Sequence, residues 1–269
     1  VTATLPQADD AGKRPRVIAI VNQKGGVGKT TTAVNLATAL AAARVPILVI
    51  DFDPQGNAST GLGLDQQHRG AGIYQVLLDD VPLTRVIQRT AIPGLDIVTS
   101  SVDLSGAEVE LVSTLAREHR LRNALAEARL RYDYVLIDCP PSLGLLTVNA
   151  LVAADSVLVP LQCEFYALEG LSHLIRTIEL VKRSLNPALE IQGVVLTMYD
   201  RRNNLSDQVA ADVRTYFGAK VYDTMIPRNV RVSEAPSHGK PVLLYDMRSP
   251  GAQAYIQLAS ELLKRERQR

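Results

Sequence analysis

The stretch Val21-Asn22-Gln23-Lys24-Gly25-Gly26-Val27-Gly28-Lys29-Thr30-Thr31 limits what this 269-residue chain can fold into more than any other. It follows an apolar run, Val17 to Ile20, and precedes a segment with helical periodicity. That order predicts a strand, a glycine-rich loop and a helix start. Glycines in such a place let the backbone wrap around a polyphosphate, with successive amide N–H groups and the positive helix end facing the anion. Lys29 is then expected to reach the β- and γ-phosphates, Thr30 to coordinate Mg²⁺ and Thr31 to donate to the α-phosphate. A ligand-free turn would account for the glycines, but not for the strand, the helix and the Gly-Lys-Thr ending together.

The loop departs from the common spacing G-x-x-x-x-G-K-[ST], because Gln23 stands where glycine is expected and a second lysine, Lys24, lies in the loop. That side of the loop faces outward, so the Lys24 ammonium is placed to reach a partner's nucleotide and not its own. Lys24 to Thr30 resembles the deviant Walker-A loop of the ParA/MinD family of dimerising ATPases, in which the extra lysine contacts nucleotide across a two-fold interface. The resemblance implies ATP and Mg²⁺ as cofactors. It makes Lys24, Gly25, Gly26, Val27, Gly28, Lys29, Thr30 and Thr31 the ATP loop, with Lys24 and Lys29 acting in catalysis.

Pro46 to Ile50 reads as a buried parallel strand, and Asp51-Phe52-Asp53-Pro54-Gln55-Gly56-Asn57 follows at its carboxyl end, where open α/β sheets collect ligands. Asp53 is placed there to orient a water attacking the γ-phosphate, with Asp51 as a structural or metal-side neighbour. Two carboxylates could also merely cap the turn; the resemblance favours Asp53 as the hydrolytic aspartate of switch I. Tyr134 to Asp138 is an apolar run ending in an aspartate, the Walker-B pattern, so Asp138 is expected to hold Mg²⁺ through water, and Pro140-Pro141 to begin switch II. Cys139 and Cys163 lack the spacing of a cluster or a disulfide framework and read as small buried side chains.

Length suits one doubly wound α/β domain over residues 16–269 after a flexible tail of residues 1–15. Expected strands begin near Val17, Pro46, Leu95, Tyr134, Asp155, Ile191 and Lys220. Helices are expected at Thr32–Ala43, Gly72–Asp80, Leu83–Arg89, Val109–Arg131, Tyr166–Leu185, Asn204–Tyr216 and from Gly251 onward, with Leu111, Leu115, Leu121, Leu125 and Leu130 facing a core. About seven strands alternating with helices predict a mostly parallel sheet with helices on both faces, a P-loop NTPase. No run of eighteen apolar residues appears, which points to a cytoplasmic protein.

A formal net charge of +1 leaves nucleic-acid affinity to a local basic patch. Arg201-Arg202 and Arg228 with Arg231 follow neighbouring strands and are the candidates; the resemblance ranks Arg202 and Arg231 first for non-specific DNA contact. With no Trp in the chain, phosphate contacts to duplex are favoured over base stacking. The resemblance also makes Ile226 to Pro236 an adenine loop, with Pro227 packing on the base and Asn229 hydrogen-bonding it. The last helix places Tyr255, Ile256, Ala259, Leu262 and Leu263 on one face, and Glu261 and Glu266 interrupt its basic side, so it is expected to dock on the domain and not on a membrane. The reading that unites these features resembles the short, chromosomal ParA/Soj type. It implies an ATP-driven homodimer that binds non-specific double-stranded DNA on the nucleoid, slow hydrolysis stimulated by a ParB-type partner, and segregation or positioning of chromosome or plasmid DNA. The rival classes are a membrane-positioning ATPase of MinD type and a nucleotide-dependent metabolic enzyme of dethiobiotin-synthetase type.

Overall fold

A computed structural model describes residues 14–128, 130–164 and 167–268, with backbone alone at His68. The first half of the chain runs β1 (Arg16–Ile20), α1 (Lys29–Ala42), β2 (Ile47–Asp51), α2 (Asn57–Gly61), α3 (Ile73–Leu78), α4 (Leu83–Val86), β3 (Ile87–Arg89), β4 (Leu95–Val98), α5 (Leu104–Glu110) and α6 (Arg120–Glu127). It continues through β5 (Tyr134–Asp138), α7 (Leu145–Ala153), β6 (Ser156–Gln162), α8 (Ala167–Ser184), β7 (Glu190–Thr197) and α9 (Asn204–Phe217). Two short helices, α10 (Val230–Glu234) and α11 (Val242–Tyr245), lead to α12 (Pro250–Arg267).

The described strands form a seven-stranded sheet in the order β3-β4-β2-β5-β1-β6-β7, parallel except at the β3 edge. Alternation along each strand divides the core in two. Val17, Ala19, Leu48, Ile50, Val135 and Ile137 face one cluster, while Ile18, Ile20, Ile47, Val49 and Leu136 face the other. Successive side chains of a strand point to opposite faces, so uninterrupted apolar runs are what a sheet covered on both sides requires. The second cluster is roofed by α1 and α12: Ala252, Tyr255, Leu258, Ala259 and Leu262 are buried there, and the Thr32 and Tyr255 hydroxyls lie 3.3 Å apart. The last helix docks as expected, with one exchange, because Ile256 is 38% exposed and Leu258 takes its place inside. Among the described residues no helix is long and apolar enough to cross a membrane.

The seven strands are not the seven expected. Leu83–Arg89 is helical only to Val86; Ile87–Arg89 turns back as an antiparallel edge strand on β4, made possible by the tight turn at Pro93-Gly94, where Gly94 has φ 81°. Conversely, the segment from Lys220 to Ile226 is not a strand. It touches β7 through an isolated bridge between Val194 and Val221, with Tyr222 N donating to Val194 O at 2.9 Å and Ile226 N to Leu196 O at 2.8 Å. The single helix expected over Val109–Arg131 is broken, with Thr114 extended and Ala116 left-handed at φ 52°. Leu115 is therefore 93% exposed and lies outside the core, whereas Leu111 and Leu121 are buried as expected. Of the expected tail, residues 1–13 lie outside the described residues, as does Tyr166; Arg14 and Arg16 pair with Asp155 and Glu266 at 3.3 and 3.4 Å.

The irregular segment is pressed onto β7 at Gly193, where an added Cβ would stand 2.6 Å from both Lys220 O and the Tyr222 ring. Gly193→Ala is expected to lower stability by about 1–3 kcal/mol through this overpacking. Urea unfolding followed by circular dichroism would show it as a lower midpoint with an unchanged slope.

Candidate nucleotide and nucleic-acid site

β1 releases the chain into the loop and α1 takes it up at Lys29. Gly26 (φ 74°) and Gly28 (φ 88°) hold left-handed conformations that a side chain would strain. The loop is fastened from the ends of the neighbouring strands. Asn22 Nδ2 donates to Pro160 O at 2.8 Å while its Oδ1 accepts from Lys24 N at 3.0 Å, and Thr197 Oγ1 donates to Val27 O at 2.8 Å. Gln23 Nε2 reaches Gly170 O on α8 at 3.0 Å. Lys29 is buried and folds over the loop, its Nζ donating to Lys24 O at 3.0 Å. Burial pushes its pKa down, opposed by Asp138, the Cys139 thiol and Asp53. Thr30 and Thr31 lie in the first turn of α1, as the loop chemistry requires.

Parallel register sets the carboxylates. Asp51 of β2 pairs directly with Asp138 of β5, which also stands beside Ile20 at the end of β1. Two aspartates on adjacent strands, with no exposure, share one buried corner below the loop. Asp51 is hydrogen-bonded: its Oδ2 accepts from Ser59 N at 2.8 Å and Ser59 Oγ at 2.6 Å. Among the described residues neither Asp138 oxygen has a partner of good hydrogen-bond geometry, although the Thr30 hydroxyl is near enough to offset part of the shift. Desolvation first, and Asp51 second, push the Asp138 pKa well up. An orphaned buried carboxylate beside a threonine hydroxyl and a phosphate-binding loop is a donor set that suits Mg²⁺, which takes one or two carboxylates and draws its other ligands from phosphates and water. Among the described residues no group of three or more His, Cys, Asp or Glu gathers as a self-sufficient cage. Asp53 is buried at the start of the following turn, its Oδ1 accepting from Gln55 N at 3.0 Å. Cys139 and Cys163 are buried and free, as expected.

Lys24 is half-exposed and ion-paired to Glu164, just beyond β6. Farther along the same edge, the bridge between Tyr199 and Pro227, with Arg228 N donating to Tyr199 O at 3.0 Å, draws the two arginine-bearing turns together. Arg202 is held by Asp200, at 3.0 Å from Nε to Oδ1 and 2.9 Å from Nη2 to Oδ2, and this pairing pulls Asp200 down to about 2. Arg231 pairs with Glu234 at 3.0 Å and Asp246 at 3.4 Å. Asn229 Oδ1 caps α10 by accepting from Val232 N at 3.3 Å. Asn22, Ser59, Glu164 and Thr197 went unnoticed in the sequence; each is an ordinary polar residue whose partner lies far along the chain or, for Ser59, across the turn in the preceding strand. Two clefts of about 820 and 690 Å³ open at the opposite, amino-terminal edge of the sheet, one between α8 and β7 and one beside β4, away from the loop.

Burial pushes Asp51 up from 3.8 to about 6 despite the Ser59 hydrogen bonds. An acid whose folded pKa lies above its unfolded value costs no stability below the unfolded pKa, and the cost grows as pH rises toward the folded one. Without nucleotide and Mg²⁺, Asp51→Asn is therefore expected to be more stable than the native chain at pH 7 by about 3 kcal/mol, the gap closing toward pH 4. Denaturant titrations across that range measure it.

A family model described as an AAA domain matches residues 15–191. The chromosome partitioning protein ParA of Caulobacter vibrioides is 64% identical over 94% of this chain and 96% of that protein. The sporulation initiation inhibitor protein Soj of Bacillus subtilis is 55% identical over 92% and 98%. Among solved structures, a Mycobacterium smegmatis protein described as cobyrinic acid a,c-diamide synthase, with bound ATP analogue and magnesium, superposes with a TM-score of 0.83 at 38% identity over 94% and 96%. The septum site-determining protein MinD of Pyrococcus horikoshii, complexed with Mg-ADP, gives 0.75 at 26% over 92% and 96%. With identities of 64% and 55% to these two partitioning proteins over more than nine-tenths of its length, the chain belongs to the ParA/Soj family of chromosome-partitioning ATPases.

Proposed function

We propose that this ATPase is a DNA-bound switch: ATP and Mg²⁺ drive a face-to-face homodimer that holds double-stranded DNA without regard to sequence, and hydrolysis releases it. The observation that carries this reading is Lys24. Its ammonium stands outside the loop, tied to Glu164 by a partly exposed ion pair. Such pairs are worth about 0–1 kcal/mol, so a nucleotide presented by a second copy can take the lysine over at little cost.

In this mechanism the amides of Gly25 to Gly28 and the Lys29 ammonium hold the phosphates, and Thr31 donates to the α-phosphate. Thr30, and Asp138 through water, would hold Mg²⁺, which would supply charge neutralisation to the polyphosphate. Asp53 orients the attacking water, and Lys24 of each copy stabilises charge on the other copy's nucleotide. Pro227 packs on adenine, and the Asn229 amide donates to it.

DNA is held by the turns bearing Arg201, Arg202, Arg228 and Arg231. Arg202 is paired with one carboxylate and Arg231 with two, whereas Arg201 and Arg228 make no ion pair among the described residues and meet phosphate without exchanging a partner. Dimerisation doubles the patch, which a chain of net charge +1 needs. The switch works on the nucleoid, in the cytoplasm, with a ParB-type partner that accelerates slow intrinsic hydrolysis, and segregates or positions chromosome or plasmid DNA.

The test is binding to random-sequence duplex DNA with ATP·Mg²⁺ against ADP·Mg²⁺ across a salt titration. Tight binding is expected with ATP alone, falling steeply with salt. Arg201→Ala/Arg228→Ala should flatten the salt slope, and Lys24→Ala should abolish DNA binding while leaving monomeric nucleotide binding intact. DNA binding that ignores the nucleotide would defeat the proposal.

A further inference from the structure

We propose that Arg69, in the connection between α2 and α3, is a positioning residue for hydrolysis: it clamps the turn that carries Asp53 against the end of β4. The inference rests on the assignment of Asp53 above. Arg69 donates through Nε to Leu64 O at 3.0 Å, through Nη1 to Ser100 O at 3.2 Å, and through Nη2 to Gly56 O at 2.9 Å and Thr60 Oγ1 at 2.6 Å. Its acceptors are three main-chain carbonyls and one hydroxyl, all neutral, so the guanidinium works here as a rigid fork and not as a counter-charge.

Each acceptor belongs to the structure around the turn. Gly56 N donates to Asp53 O at 2.9 Å, closing the turn Asp53-Pro54-Gln55-Gly56. Ser100 N donates to Ser59 Oγ at 3.3 Å, and Ser59 in turn holds Asp51. The clamp thus grips the turn through Gly56 and Thr60 and anchors it on Ser100, beside the aspartate pair. Gly56 is left-handed at φ 64°, and a Cβ there would overlap Arg69 Nη1. Glycine at this position therefore satisfies the turn and makes room for the fork. A reacting group misplaced by about 1 Å can lose on the order of a hundredfold in rate without any loss of ligand contacts, so a residue that touches no nucleotide can still govern turnover.

Steady-state ATP hydrolysis, affinity for a non-hydrolysable ATP analogue and thermal unfolding of the full chain decide the matter. Arg69→Ala is expected to lower kcat about tenfold with analogue affinity changed less than about twofold, the signature of lost transition-state geometry. Arg69→Lys should recover part of the rate, since an ammonium can reach one or two of the four acceptors. Gly56→Ala should mimic Arg69→Ala by displacing the fork, and the double variant should be no slower than the slower single variant. An unchanged kcat in Arg69→Ala, losses that multiply in the double variant, or analogue affinity and melting temperature collapsing together with kcat would overturn the clamp. Asp53→Asn separates the two ideas: full activity there defeats the Asp53 assignment itself, whereas an inactive Asp53→Asn beside a normal Arg69→Ala defeats only the clamp.

Discussion

Parallel register between β2 and β5 forces Asp51 and Asp138 side by side in a fully buried corner, and the rest of the site answers that constraint. Two carboxylates on neighbouring strands are a few ångströms apart, and burying them disfavours their charged forms. Ser59 offsets part of the cost at Asp51 by donating twice, and the buried Lys29 ammonium offsets part of it at Asp138. Among the described residues no group of good geometry matches Asp138. The fold therefore carries an adverse charge arrangement that binding of a cation and an anion would relieve, so its own stability is linked to occupancy of the site.

Around this corner the loops have little structure of their own and are held by long-range polar contacts. Asn22 reaches β6, Thr197 reaches the phosphate loop from β7, and Asn35 of α1 accepts from Val242 N at 2.7 Å, tying α1 to α11. Glu261 of α12 does similar work at the far edge, accepting from Asp223 N and Thr224 N at 2.9 Å. These bonds explain how irregular backbone can remain ordered next to the chemistry: its polar groups are satisfied by side chains where no ladder is available.

The same long-range character explains where sequence reasoning stopped. The edge strand Ile87–Arg89 is three residues long, too short for a periodic signal, and exists because the Pro93-Gly94 turn brings it onto β4. The segment around Val221 and Tyr222 has the composition of a strand, yet it lies along β7 with a single bridge, because an exposed edge can be covered without being extended. Leu115 fits the apolar spacing of a helix, but the left-handed Ala116 ends that spacing before it reaches the core.

By itself the sequence determined the phosphate loop, the strand ends bearing Asp51, Asp53 and Asp138, the two-sided sheet and the docking of the last helix. These follow from local spacing and periodicity, which neighbouring residues impose on one another. Tertiary structure alone decided that Asp51 faces Asp138, that Glu164 holds Lys24, that Asp246 reaches Arg231 and that Arg69 grips Gly56. Those relations depend on strand order and on contacts between distant or differently folded segments, which no spacing along a single chain encodes.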